Sequence, residues 1–197
     1  MPKWKIHDKW AERMGISKEV SDYVNRLIDF PKRCSEFLKF TARIDNWSDF
    51  HKYTHSNWPY KKLLDIFWTD PQLFCKLLGI GHDSSRTKKG YAVRYIQLKF
   101  LYQKGSEYVK AWFLHHFLDC AKKTLKRLSK KEVSYREILV SHPWFSLEDV
   151  LKKLRRLVVP AQEFYFIEDF VRAHWEEIRE EILQDLGYYK KFWIEEK

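Results

Sequence analysis

The sequence predicts an all-α protein, and three observations support this class. Apolar residues recur three and four positions apart along most of the 197 residues, which is the spacing of one helix face. No stretch alternates polar and apolar residues for long enough to indicate a β-strand. The six glycines and six prolines are too few for a turn-rich all-β chain. We therefore expect a compact multi-helix bundle with a C-terminal helical extension.

The N-terminal third of the chain contains the first of these helices. Ser17 is placed to cap a helix whose apolar stripe covers residues 20–28, and Pro31 ends it. Three shorter helices are expected at 37–44, 60–68 and 71–78. The last of them follows an Asp-Pro pair, which suits the start of a helix.

The middle of the chain contains the most apolar helix. Gly105 ends a helix that runs from about residue 90 to 104, and Ser106 caps the next one. The apolar stripe of that next helix continues to Cys120. From Lys122 the periodicity lapses and basic residues accumulate, so a domain boundary is expected after residue 121 if the chain has one.

Two further helices are expected in the C-terminal part. The sequence Ser146-Leu-Glu-Asp149 resembles a capping box and predicts that a helix begins there. After Pro160 the apolar stripe predicts one long helix that reaches Ile182. The chain is therefore divided into a domain at 1–121 and a basic hairpin plus long helix at 122–197, or it forms one single domain.

Composition restricts the class of protein. No apolar run approaches 18 residues, so no transmembrane helix is expected. Charged residues occur throughout residues 1–15, which is unlike a signal peptide, and we expect a cytoplasmic protein. The three cysteines are too scattered for a disulfide framework. Three Asn and five Gln stand beside 37 Lys and Arg, a depletion of amides that suggests a thermophilic source.

The positive charge is distributed unevenly along the chain. The net charge is +10, yet residues 161–197 hold ten acids and only five bases. Residues 1–160 therefore carry 32 bases and 17 acids. This balance favours a phosphate-containing small molecule or a nucleic acid as partner, with a solvated lysine-rich surface as the alternative.

Two histidines and an aspartate lie together in the most apolar helix. His115 and Asp119 are four residues apart, and His116 and Asp119 are three apart, so Asp119 shares a side with both. Imidazole and carboxylate ligands suit Fe, Mn, Ni or Zn. A carboxylate is costly to bury without a partner, which a metal, a basic residue or exposure to solvent would resolve. For His116, packing in the core is the alternative to ligation.

The segment Leu77-Leu-Gly-Ile-Gly-His82-Asp83-Ser-Ser-Arg86 resembles the signature of the HD-domain metal-dependent phosphohydrolases. In that all-α family an apolar helix leads into His-Asp, and two intervening residues separate this pair from a Lys or Arg. Further histidines about 30 residues downstream and a later Asp complete the pattern, and His115 and Asp119 match these positions.

The resemblance implies roles for further residues. The family's upstream histidine corresponds to His55, to His51 or to His7, and the sequence leaves these alternatives open. Together with His82, Asp83, His115, His116 and Asp119 these are the candidate ligands of a divalent metal. Asp83 and Arg86 are the candidate catalytic residues. The phosphate of the substrate would be bound by Arg86, Lys88 and Lys89, which open a segment that holds six bases and no acid up to residue 104. The implied activity is hydrolysis of a nucleotide or other phosphoester.

Residues 135–154 are similar to the first two helices of a helix-turn-helix unit, which supports DNA binding as an alternative function. Residues 121–156 hold eleven bases and four acids. The candidate contacts to nucleic acid are Lys126, Arg127, Lys130, Lys131, Lys152, Lys153, Arg155 and Arg156. A non-catalytic interaction module, in which the acidic C-terminal helix docks on a basic surface, is the third hypothesis.

Overall fold

The structure is a computed structural model that describes residues 4–42, 69, 88–129, 143–155 and 162–187. Within these residues the regular elements are eight α-helices and one 3-10 helix, with no β-strand, so the prediction of an all-α chain is confirmed for this part. None of the described helices is both long and apolar enough to cross a membrane. The helices are α1 (Trp4–Arg13), α2 (Lys18–Asp29), the 3-10 helix Pro31–Arg33, α3 (Ser35–Ala42), α4 (Lys88–Tyr102), α5 (Ser106–Ser129), α6 (Pro143–Arg155), α7 (Gln162–Ala173) and α8 (Trp175–Asp185).

The predicted caps at Ser17 and Gly105 are confirmed. Helix α2 begins directly after Ser17, whose Oγ accepts a hydrogen bond from the backbone N–H of Val20 at 3.4 Å. Helix α4 ends at Tyr102, and Gly105 adopts a φ of +126°, which glycine reaches without the strain that a Cβ would introduce. The next helix, α5, was predicted to follow a cap at Ser106, and it begins with Ser106 as its first helical residue.

Helix α5 extends beyond the point where the sequence suggested a lapse in periodicity. It continues to Ser129, because Ala121 and Leu125 are both fully buried and lengthen the apolar stripe by one turn. The boundary predicted after residue 121 lies inside this helix and stays a prediction. The helices predicted at 60–68 and 71–78 lie outside the described residues.

Two predicted helix boundaries are wrong. Helix α6 begins at Pro143 rather than at Ser146, because proline without an N–H suits the first helical position. The single helix expected after Pro160 is two helices, α7 and α8, separated at His174, where φ is −119° and ψ is 13°. The apolar stripe continues in register across His174, so the sequence pattern did not indicate the break.

The chain divides into two compact units. Unit 1 contains residues 1–21 and 110–197, and unit 2 contains residues 22–109. Aromatic side chains form much of the core of unit 1: the Phe113 and Phe164 rings are 5.7 Å apart, and those of Phe117 and Trp175 are 6.0 Å apart. In unit 2, Phe37 packs on Phe100 with ring centroids 5.5 Å apart.

Acidic residues of α8 pair with bases elsewhere in unit 1. Glu181 Oε2 accepts hydrogen bonds from Trp10 Nε1 at 2.8 Å and from Lys9 Nζ at 3.1 Å. Arg13, also on α1, pairs with Glu177. These contacts, together with complete burial of the Trp10 ring, fix α1 against α8 and thereby set the position of the residues on α1.

Candidate metal centre

Three potential metal ligands converge in unit 1 of the structure. His7 on α1 and His115 and Asp119 on α5 each offer one ligand atom, and these atoms lie within 4.8 Å of one another. His7 Nε2 is 3.7 Å from Asp119 Oδ1, and His115 Nε2 is 4.0 Å from Asp119 Oδ2. Both separations are longer than a hydrogen bond, so the cluster leaves space between its three ligand atoms.

Local helix geometry brings two of the three ligands together. His115 and Asp119 are one helical turn apart on α5, as their spacing predicted. His7 is added by the packing of α1, where Trp10 lies one turn further along the same buried face. The His7 and His115 rings stack with centroids 4.2 Å apart and an interplanar angle of 24°.

The cluster is almost completely shielded from solvent. The relative exposure is 2% for His7, 1% for His115 and 7% for Asp119. Asp119 Oδ1 is buried and makes no hydrogen bond in the structure. Burial raises the pKa of Asp119, but the proximity of His7 and the charges of His115 and His116 outweigh this effect and hold the pKa well below its usual value.

His116 lies beside the cluster but does not belong to it. As the neighbour of His115 on a helix it points in a direction about 100° away. Its ring packs against the indole of Trp112, with centroids 4.1 Å apart, and its centroid is 5.7 Å from that of His115. His116 is buried, which fits the core-packing interpretation of this residue.

Two imidazoles and one carboxylate form a recognised type of metal-binding set. Catalytic zinc sites use three protein ligands and keep one position for water or substrate, and the same ligand types bind non-haem iron. A buried carboxylate facing two imidazoles is costly unless charge and hydrogen bonding are compensated. A divalent cation between the three ligand atoms of His7, His115 and Asp119 would provide that compensation.

The remaining candidate site residues are not brought into this cluster within the described part of the chain. His51, His55, His82, Asp83 and Arg86 lie outside the described residues, and their roles stay predictions. Lys88 and Lys89 form the first positions of α4, but their side chains also lie outside the description. The predicted phosphate-binding group is therefore still a prediction.

The structure places only part of the basic set proposed for nucleic acid. Lys153 pairs with Asp149 and donates to Thr124 Oγ1 at 2.9 Å, and Arg155 pairs with Glu168 at 2.5 Å. Lys126 and Lys152 are exposed. The side chains of the other four candidates lie outside the described part of the chain: Arg127, Lys130, Lys131 and Arg156.

Glu168 and Arg179, two of the buried charges in the described residues, were not singled out by the sequence. Glu168 on α7 is 7% exposed and accepts hydrogen bonds from Arg155 and Arg172. Arg179 on α8 is 4% exposed. Glu168 is adjacent to Ile167, a residue of the apolar stripe. Arg179 has acidic neighbours in the sequence, a pattern typical of a solvated helix face, and no sequence signal distinguishes it.

Comparison with known protein families, with curated proteins and with solved structures gives no match for this chain.

Proposed function

We propose that this chain binds one divalent metal ion through His7, His115 and Asp119 and uses it to hydrolyse a phosphate-containing substrate. The observation that carries the proposal is the convergence of three buried ligand atoms within 4.8 Å, drawn from helices that are far apart in sequence. The basic character of residues 1–160 supports the phosphate-containing class of substrate.

The chain's own residues have distinct parts in this proposal. Asp119 contributes the negative charge, while the two imidazoles bind through Nε2 and leave the ion with a net positive charge. A divalent ion held by His7, His115 and Asp119 would supply Lewis acidity, which would lower the pKa of a water towards neutrality for hydrolysis of a phosphoester. Trp10 acts indirectly, since its hydrogen bond to Glu181 holds α1, and with it His7, in place.

The relationship to HD-domain phosphohydrolases is part of the same proposal. His115 and Asp119 were the downstream residues of the HD-like pattern, and His7 was one of its three candidate upstream histidines. From the resemblance alone, His82 and Asp83 stay candidate metal ligands and Arg86 stays a candidate phosphate-binding residue. Metal binding by Asp83→Ala, measured beside Asp119→Ala, would test these residues separately from the three-ligand cluster.

The experiment that tests the proposed function is a hydrolysis assay with metal-depleted protein. Wild type, His115→Gln and His174→Gln are reloaded with Mn²⁺, Fe²⁺, Ni²⁺ or Zn²⁺ and assayed with p-nitrophenyl phosphate and bis(p-nitrophenyl) phosphate. His174 is the matched control because it is a histidine of the same unit that is not one of the three ligands, and its ring stacks on Phe170. We expect activity that requires metal, survives His174→Gln and is lost in His115→Gln. Hydrolysis unaffected by chelator or by His115→Gln would contradict the proposal.

Binding to DNA through residues 122–156 has less support. Lys153 and Arg155 already pair with acids of their own unit, which reduces the charge available to a phosphate backbone. Glu177 and Glu181 of α8 likewise pair with Arg13 and Lys9, so part of the acidic charge of this helix is paired within the chain.

A further inference from the structure

Arg179 occupies an unusual position in unit 1. It lies on α8 among the buried residues of that helix, which are otherwise apolar: Trp175, Ile178, Ile182 and Leu183. The relative exposure of Arg179 itself is 4%. Arginine remains charged under all ordinary conditions, so this helix contains a permanent buried cation.

The guanidinium of Arg179 is only partly satisfied. Its Nη2 pairs with Glu176, one turn earlier on the same helix, whose side chain is 66% exposed. Its Nε and Nη1 are buried and make no hydrogen bond in the structure. A carboxylate in solvent neutralises a buried charge weakly, because water screens the interaction.

Glu168 is a second buried charge in the same unit, and its ion pairs differ from those of Arg179. Two arginines, Arg155 and Arg172, donate hydrogen bonds to Glu168 Oε1, the first at 2.5 Å and the second through Nη2 at 2.7 Å. Burial of that carboxylate is therefore compensated by opposite charges and by hydrogen bonds. Arg179 has no comparable interior partner among the described residues, although an unpaired guanidinium is more costly to bury than a neutral group.

We infer that Arg179 is the cationic centre of an anion-binding site in unit 1, and that its ligand is a small anion with oxygen acceptors. Oxygen atoms of a phosphate or carboxylate accept hydrogen bonds from guanidinium N–H groups and supply the missing charge in the same contact. A water molecule would satisfy the donors but would not neutralise the charge. This inference uses none of the metal ligands and does not depend on the proposed function.

Thermal unfolding in different anions tests the inference. Wild type, Arg179→Met and Arg179→Lys are melted in chelator-treated buffer with chloride, phosphate or acetate at equal ionic strength. Chelation removes any contribution of a metal-bound phosphate. At about 100 times the dissociation constant, ligand binding should raise the Tm of a chain this size by about 5 to 10 °C. We expect that rise for wild type in phosphate, in acetate or in both, and the two arms separate a phosphate ligand from a carboxylate.

The variants make the result specific to Arg179. In chloride, Arg179→Met should unfold at the wild-type Tm or above it, because a buried charge that pairs with the exposed Glu176 is replaced by an apolar side chain of similar length. Neither Arg179→Met nor Arg179→Lys should show the anion-dependent rise. Equal rises in all three proteins, no rise in wild type, or a large loss of stability of Arg179→Met in chloride would overturn the inference. The last result would mean that the chain itself satisfies the guanidinium.

Arg172→Met is the control for this series. Arg172 pairs with Glu148 and Glu168, so its loss should lower the Tm by the same amount in every anion. An anion-dependent effect in Arg172→Met would assign the anion response to the α6–α7 ion pairs instead and would also overturn the inference.

Discussion

Replacement of Asp119 by asparagine changes the candidate metal centre with little change in volume. The amide occupies the place of the carboxylate and keeps one oxygen, but it removes the negative charge that faces His7 and His115 at 3.7 and 4.0 Å. Asp119→Asn should therefore leave the fold intact and weaken metal binding.

The size of the effect follows from the geometry. Two unit charges 4 Å apart attract each other by about 4 kcal/mol at an effective dielectric constant near 20. A cation among ligand atoms that lie within 4.8 Å of one another is at least that close to the carboxylate. The ion is divalent, so this energy is a lower bound, and since 1.4 kcal/mol corresponds to a factor of ten, the metal dissociation constant should rise by about 100-fold or more.

The assay is a titration of Zn²⁺ or Mn²⁺ in competition with a chromogenic chelator. Asp169→Asn is the matched control, because Asp169 is an exposed residue of α7 and its replacement removes the same charge from the surface. We expect the control to bind like wild type. If Asp119→Asn binds metal within about threefold of wild type, the carboxylate is not a ligand and the reasoning fails.

Three further predictions concern stability. Trp10→Phe keeps an aromatic ring but removes the donor to Glu181 and part of the buried indole volume, so the free energy of unfolding in urea should fall by about 1.5 to 3 kcal/mol or more. An unchanged value would contradict the role of Trp10 as an anchor of α1. Gly105→Ala should lower the free energy of unfolding by about 1 kcal/mol or more, because a φ of +126° is strained for alanine even though an added Cβ meets no atom within 4 Å. A variant as stable as wild type, or more stable, would contradict this prediction. Burial raises the pKa of Glu168, but its two arginines outweigh burial and hold the pKa below its usual value. The contribution of the Glu168 carboxylate to the free energy of unfolding is therefore complete above its unfolded-state pKa and is lost as the pH falls through the lower folded-state pKa. Glu168→Gln should make the free energy of unfolding less dependent on pH on the acid side. An unchanged slope would refute this prediction.

Local sequence spacing was enough to predict part of the candidate site. The four-residue separation of His115 and Asp119 in an apolar stripe fixes them on one side of α5 wherever that helix packs. His7 was only one of three candidate upstream histidines, because its approach to Asp119 depends on the packing of α1. That packing rests on long-range contacts such as Trp10 with Glu181, and helical periodicity carries no information about them.

The sequence did not indicate the break between α7 and α8 or the burial of Arg179, and both depend on structure that a local pattern does not contain. The stripe of α7 continues into α8 with unbroken spacing, so only the backbone at His174 reveals that the two helices are separate. Arg179 follows two glutamates by a few residues and resembles one member of a solvated charged face. Its burial is decided by what packs against α8, a property of the tertiary structure that no local pattern encodes.

The metal content of untagged protein tests the central claim most directly. Wild type and His7→Gln are purified without a histidine tag and analysed for Fe, Mn, Ni and Zn, before and after exposure to each ion. The account predicts about one equivalent of metal or more per wild-type chain. It predicts that the His7→Gln variant, folded by circular dichroism, retains much less. A wild-type protein that contains no metal and takes up none would contradict the account.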